Sequence, residues 1–184
     1  LHTWKQLEKE GFEVTYLPVD EYGRVTPEAL ENAIRPDTTI VSIMTANNEI
    51  GTIEPVAELG AVCRKHGVLF HTDAVQAIGS VKFNMKEMPI DMLSMSGHKF
   101  HAPKGVGVLF IRKGVHIQQF MQGGAQERNQ RAGTENLASI VGLGKAIELA
   151  TANVDAHNAQ LSAIRDHMIE RILKEIPYSR LNGD

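Results

Sequence analysis

A chain of 184 residues, 42% hydrophobic and 22% charged, has the composition of a globular domain and the length to bury one substantial core. Nineteen basic against twenty-two acidic residues leave a formal charge of −3, with 5% aromatics and no polybasic run, which argues against nucleic acid as the main partner. The single cysteine, Cys63, excludes an internal disulfide, and the absence of a signal-peptide pattern or an apolar run of about eighteen residues argues against a membrane, so a soluble cytoplasmic protein is expected.

Leu1, Trp4 and Leu7 recur at helical spacing and Gly11 closes the pattern, predicting a helix over residues 1–10. Phe12 to Val19 reads as a short strand. Thr26-Pro27-Glu28 supplies an N-cap, a proline at the first helical position and an acid in the first turn, starting a helix that runs to about Ile34. Thr39 to Met44 is β-branched and apolar, as a fully buried strand would be. Pro55 opens a helix with Val56, Leu59, Val62 and Cys63 on one face, and His66-Gly67 ends it before a strand over Val68–His71. Met92–Met95 and Val106–Ile111 are further strands, and the last is expected to be antiparallel because no helix fits between them.

Strands linked by helical segments imply βαβ units, hence an α/β fold with a mainly parallel mixed sheet flanked by helices. From Leu137 to Ile176 the character is long helix, with Leu161, Ile164, Met168 and Ile172 marking a buried stripe in its second half. Ala150-Thr-Ala-Asn153 interrupts the apolar pattern, placing a boundary between residues 1–150, part of a sheet domain, and 151–184, the start of another unit. The missing initiator Met and the turn-like ending Leu181-Asn-Gly-Asp184 suggest a piece of a longer protein.

Residues just beyond the carboxyl ends of neighbouring parallel strands converge on one crevice even when they are far apart in sequence. Here such positions carry Asn47, Asn48 and Glu49 after the first buried strand, Asp73 and Gln76 after the second, and Ser96, His98 and Lys99 after the third. Singly, Asp73 is a helix cap and Asn48 a turn former. Together with an amine they match pyridoxal phosphate chemistry. A lysine holds the cofactor's aldehyde as an imine, a carboxylate keeps the pyridine nitrogen protonated, and hydroxyl or amide donors hold phosphate and phenolate. Lys99, Asp73, Ser96 with His98, and Gln76 fill those roles in turn.

The segments Asn47-Asn-Glu-Ile-Gly51, His71-Thr-Asp-Ala-Val-Gln76, Ser94-Met-Ser-Gly-His-Lys99, Gly123-Gly-Ala-Gln-Glu-Arg128 and Arg131-Ala-Gly-Thr-Glu-Asn136 together resemble the cysteine desulfurases. These are class V aminotransferase-like, fold-type I pyridoxal phosphate enzymes. The resemblance runs in order along essentially the whole chain and implies that it is the large domain of such an enzyme, with its amino-terminal portion missing, leading from residue 151 into a small domain. It implies Lys99 as the catalytic and cofactor-bearing lysine, Asp73 on the pyridine nitrogen, Gln76 and Asn48 near the phenolic oxygen, and Ser96 and His98 on the phosphate. Thr134 would reach the phosphate in the other subunit of a homodimer. The implied reaction removes sulfur from L-cysteine, leaving alanine and an enzyme persulfide for iron-sulfur cluster assembly or other sulfur transfer, with an acceptor or scaffold protein as partner. The persulfide cysteine and the substrate-binding arginine would lie beyond Asp184, so the fragment alone is expected to be inactive. Cys63, on a buried helix face, is expected to be a core residue.

A selenocysteine lyase or another class V enzyme would share these residues. Gly105-Val-Gly107 precedes a strand instead of following one and matches no phosphate-binding loop. His71 and Asp73 face the same way along a strand, but no third ligand is evident, so no metal site is assigned. A purely structural role would predict no imine at Lys99.

Overall fold

The computed structural model describes residues 1–183; Asp184 lies outside them. Helix α1 (His2–Lys9) ends at Glu10 and Gly11, the latter at φ +94°. Helix α2 (Pro27–Ala33) starts as its sequence dictates: Thr26 Oγ1 accepts the Ala29 N–H at 3.1 Å. Strand β1 (Ile40–Met44) leads through α3 (Val56–His66) to β2 (Leu69–Asp73), and α3 closes on the left-handed Gly67 at φ +69°. Strands β3 (Met92–Ser96) and β4 (Gly107–Ile111) follow, separated by a tight turn, Gly97–Phe100. A single irregular turn α4 (Gln126–Asn129) then leads to α5 (Leu137–Ala152) and α6 (Val154–Glu175), which are bent by 69° at Asn153. No single helix among the described residues is long and apolar enough to cross a membrane.

The sheet has the order β1-β2-β3-β4, with the first two pairings parallel and the last antiparallel. Its main core lies between the strands and α2–α3, where Leu30, Leu59, Cys63, Phe70, Ile90 and Leu93 are at most 2% exposed. Gly60 is required there: a Cβ would come within 2.3 Å of the Pro89 carbonyl oxygen and 3.1 Å of Phe70 Cδ1. A second cluster packs Phe100 and Ala102 against Leu143 of α5.

Four expectations need correction. Phe12–Val19 is not a strand: it joins no ladder, and it is tied by side chains instead, with Arg35 bonding Thr15 Oγ1 at 2.6 Å and pairing with Glu13 at 3.4 Å. Strand β1 is not fully buried, because it lies on the outside of the sheet order and Met44 is 40% exposed. No helix links β2 to β3. Arg112 holds that connection, its guanidinium donating to the carbonyls of Met85, Met88 and Ile90 at 2.8–2.9 Å. The stripe of Leu161, Ile164, Met168 and Ile172 is exposed, since nothing among the described residues packs on it.

Candidate functional site

The site is built where β1, β2 and β3 end. After β1 the chain folds back on itself, Asn47 N–H bonding Thr52 O and Glu54 N–H bonding Thr45 O. Asn47 Oδ1 accepts the N–H groups of Glu49 and Ile50 at 2.8 and 3.2 Å, tightening the turn on which Asn48 is presented. Thr45 and Thr72, both fully buried, share a hydrogen bond of 2.8 Å that ties this loop to β2. At the end of β2, Asp73 Oδ1 accepts the Val75 N–H at 2.9 Å, which fixes one carboxylate oxygen and turns the chain toward Gln76.

After β3, Gly97 passes so close to Val106 that a Cβ would sit 3.1 Å from its carbonyl oxygen. Phe100 is buried beneath α5. The turn is completed by His101 at φ +68° and by the Ala102 N–H bonding Gly97 O, so that His98 and Lys99 project from its exposed side. Burying Gly97 and Phe100, two residues of this four-residue turn, is what orients the other two.

Asn48, Asp73, Gln76 and Lys99 line one pocket of about 150 Å³, joined by Met44, Ala46 and Val75. Four of the seven expected residues therefore converge. Ser96 ends β3, half-buried, and His98 flanks Lys99; neither lines the pocket, and Thr134 lies exposed on the loop before α5. Met44, Ala46 and Val75 join them without having been expected, although each lies within four residues of a strand end already singled out. A larger hollow of about 650 Å³ lies on the other side of the turn, against α5 and the start of α6; of the expected residues only Lys99 reaches it.

His71 does not join a metal site. Its Nδ1 shares a hydrogen bond of 2.7 Å with Ser42 Oγ, and among the described residues no three His, Cys, Asp or Glu side chains group to hold a metal ion. Burial pushes the Cys63 thiol up to about 11, which leaves it protonated in the core at neutral pH.

The donor set fits pyridoxal phosphate: a primary amine for an aldehyde, a carboxylate with one fixed oxygen for a ring N–H, and two carboxamides for a phenolate, all on one pocket. The whole chain, residues 1–184, matches the family described as aminotransferase class-V. It is 59% identical over 183 residues to the cysteine desulfurase IscS of Methanosarcina thermophila and 58% identical over 183 residues to that of Clostridium botulinum strain Hall. These alignments take in 100% of this chain but 45% and 46% of those proteins, so the chain spans about half the length of the relatives it matches. Among solved structures it superposes on a NifS-like protein with a TM-score of 0.91 at 42% identity, covering 94% of this chain and 48% of that one. DndA from Streptomyces lividans gives 0.84 at 37% identity, covering 100% and 52%. The expected fold, a mainly parallel mixed sheet flanked by helices as in fold-type I enzymes, is the one observed. By sequence along its whole length, and by the fold that sequence adopts, the chain belongs to the class V aminotransferase family.

Proposed function

We propose that this chain is the cofactor-holding part of a pyridoxal phosphate-dependent cysteine desulfurase, which takes sulfur from L-cysteine and passes it on for iron-sulfur cluster assembly or another sulfur-transfer route. The observation that carries this reading is the convergence of Lys99, Asp73, Gln76 and Asn48 on one pocket at the carboxyl ends of three adjacent strands. High identity to proteins named cysteine desulfurase supports the choice of substrate.

Pyridoxal phosphate supplies an aldehyde for a primary amine and, with its ring nitrogen protonated, an electron sink for a substrate carbanion. Lys99 Nζ is the amine that would hold it, and the same nitrogen would serve as the base that takes the proton from the substrate Cα. Asp73 has Oδ1 engaged by the Val75 N–H, which orients the carboxylate and leaves Oδ2 to accept the ring N–H. Gln76 and Asn48 offer amide N–H donors to the phenolic oxygen. Ser96 and His98, flanking Lys99, are assigned to the phosphate, and Thr134 to the phosphate in the other subunit of a homodimer. In this reading residues 1–150 belong to the large domain and 151–184 lead into a small one, the sulfur acceptor is a partner protein, and the enzyme works in the cytoplasm.

Borohydride reduction of the full-length protein with pyridoxal phosphate, followed by peptide mapping, tests the assignment. The adduct is expected on Lys99, and Lys99→Ala is expected to abolish it and lower sulfur release by at least ~10²–10⁴-fold. An adduct on another lysine, or unchanged sulfur release in Lys99→Ala, overturns the reading.

A further inference from the structure

One half-buried titratable group stands beside the site without a role. His71 precedes Asp73 by two residues on β2, so both project from the same face of the sheet. Register places Ser42 of β1 directly beside His71, and their side chains share the 2.7 Å hydrogen bond between Oγ and Nδ1. On this face β1 contributes Ile40, Ser42 and Met44, and β3 contributes Met92, Ser94 and Ser96, all uncharged. The facing residues of β4 are Ile111, Leu109 and Gly107, also uncharged. Asp73 is thus the one charged side chain that the described strands place on the face of His71, and Lys99 shares the pocket with Asp73.

A carboxylate that must hold a protonated ring nitrogen is weakened by any competing cation. An imidazole two residues away is such a competitor if it is free to turn and take up a proton. We propose that His71 is a positioning residue for Asp73: the hydrogen bond to Ser42 on β1 holds the ring's Nδ1 away from the carboxylate, leaving the carboxylate to the cofactor. The inference rests on the reading of Asp73 given above. Burial lowers the imidazole's pKa, and the Asp73 carboxylate opposes this without overcoming it, which disfavours the charged ring.

The test uses the full-length protein and two readouts besides turnover: the dissociation constant for pyridoxal phosphate, and the pH midpoint of the bound cofactor's visible absorbance. Ser42→Ala frees the ring to pair with Asp73. It is expected to weaken cofactor binding about tenfold and to move the midpoint to lower pH. His71→Gln keeps a neutral partner for Ser42 and is expected to stay within about twofold of the parent in both readouts. The decisive variant is the double, Ser42→Ala with His71→Gln, which has no imidazole left to compete and is expected to regain parental affinity. If Ser42→Ala changes neither readout, or if the double variant is as weak as Ser42→Ala or weaker, the inference is overturned and the pair is merely structural. If the parent itself holds no pyridoxal phosphate at Lys99, the reading of the site fails, and this inference with it.

Discussion

Helices α3 and α6 carry the same kind of apolar stripe and end in opposite situations. In eleven residues α3 buries Val56, Leu59, Gly60 and Cys63, whereas in twenty-two α6 buries only Val154. The difference is what stands opposite. Helix α3 is followed after Gly67 by the strand it packs on, and its glycine lets the backbone approach Pro89 and Phe70. Helix α6 is tied to the rest at its start, through Lys82 with Asp155 and Asn158 with the Ser80 carbonyl, while Leu161, Ile164 and Met168 remain 48%, 61% and 60% exposed. A stripe states which face a helix can bury; the surface that covers it is a separate fact.

Substitutions that probe the two helices give that contrast numbers. Leu59→Ala, at a fully buried site in α3, is expected to cost about 2–5 kcal/mol in a urea or thermal unfolding experiment. A cost below about 1 kcal/mol would mean that α3 is not the centre of the core. A smaller effect is expected at Glu54, just before α3, which is 6% exposed and whose carboxylate accepts the Val25 N–H at 2.8 Å. Burial raises its pKa, opposed by the bond to Val25 and by Arg24. The folded chain therefore holds this proton more tightly than the unfolded chain, so stability falls as pH rises through the usual carboxylate value to the raised one, and the deficit is complete above it. Glu54→Gln keeps an acceptor for Val25 and removes the charge, so its urea midpoint is expected to fall less than the parent's as pH rises from the usual carboxylate range toward neutrality. Equal slopes would refute the burial account. The smallest effect belongs to α6: Ile164→Ser in the isolated 184-residue chain is expected to change stability by no more than about 0.5 kcal/mol. A loss above about 2 kcal/mol would show that its stripe is covered.

The candidate site was more legible than parts of the fold. Lys99, Asp73, Gln76 and Asn48 could be grouped because a parallel sheet brings its strand ends together whatever the loop lengths, and the strand ends were visible as apolar runs closed by polar residues. Phe12–Val19 is not the expected strand because strand-like residues form one only when a neighbour supplies a ladder, and here Arg35 takes that segment by its side chains. The role of Ser42 was hidden for a similar reason. A serine inside an apolar run carries no signal until register sets it beside His71, twenty-nine residues away.

Arg112 bears on how freely the protein can change. Its guanidinium grips the β2–β3 connection through main-chain oxygens of Met85, Met88 and Ile90, and its own N–H bonds the Asp91 carbonyl. Carbonyls are present whatever the side chain, so the half-exposed positions 85 and 88 can drift in sequence without loosening these bonds. The tolerance is one-sided. All of it is underwritten by one residue that cannot itself be exchanged, since lysine lacks the planar fork that reaches three oxygens at once.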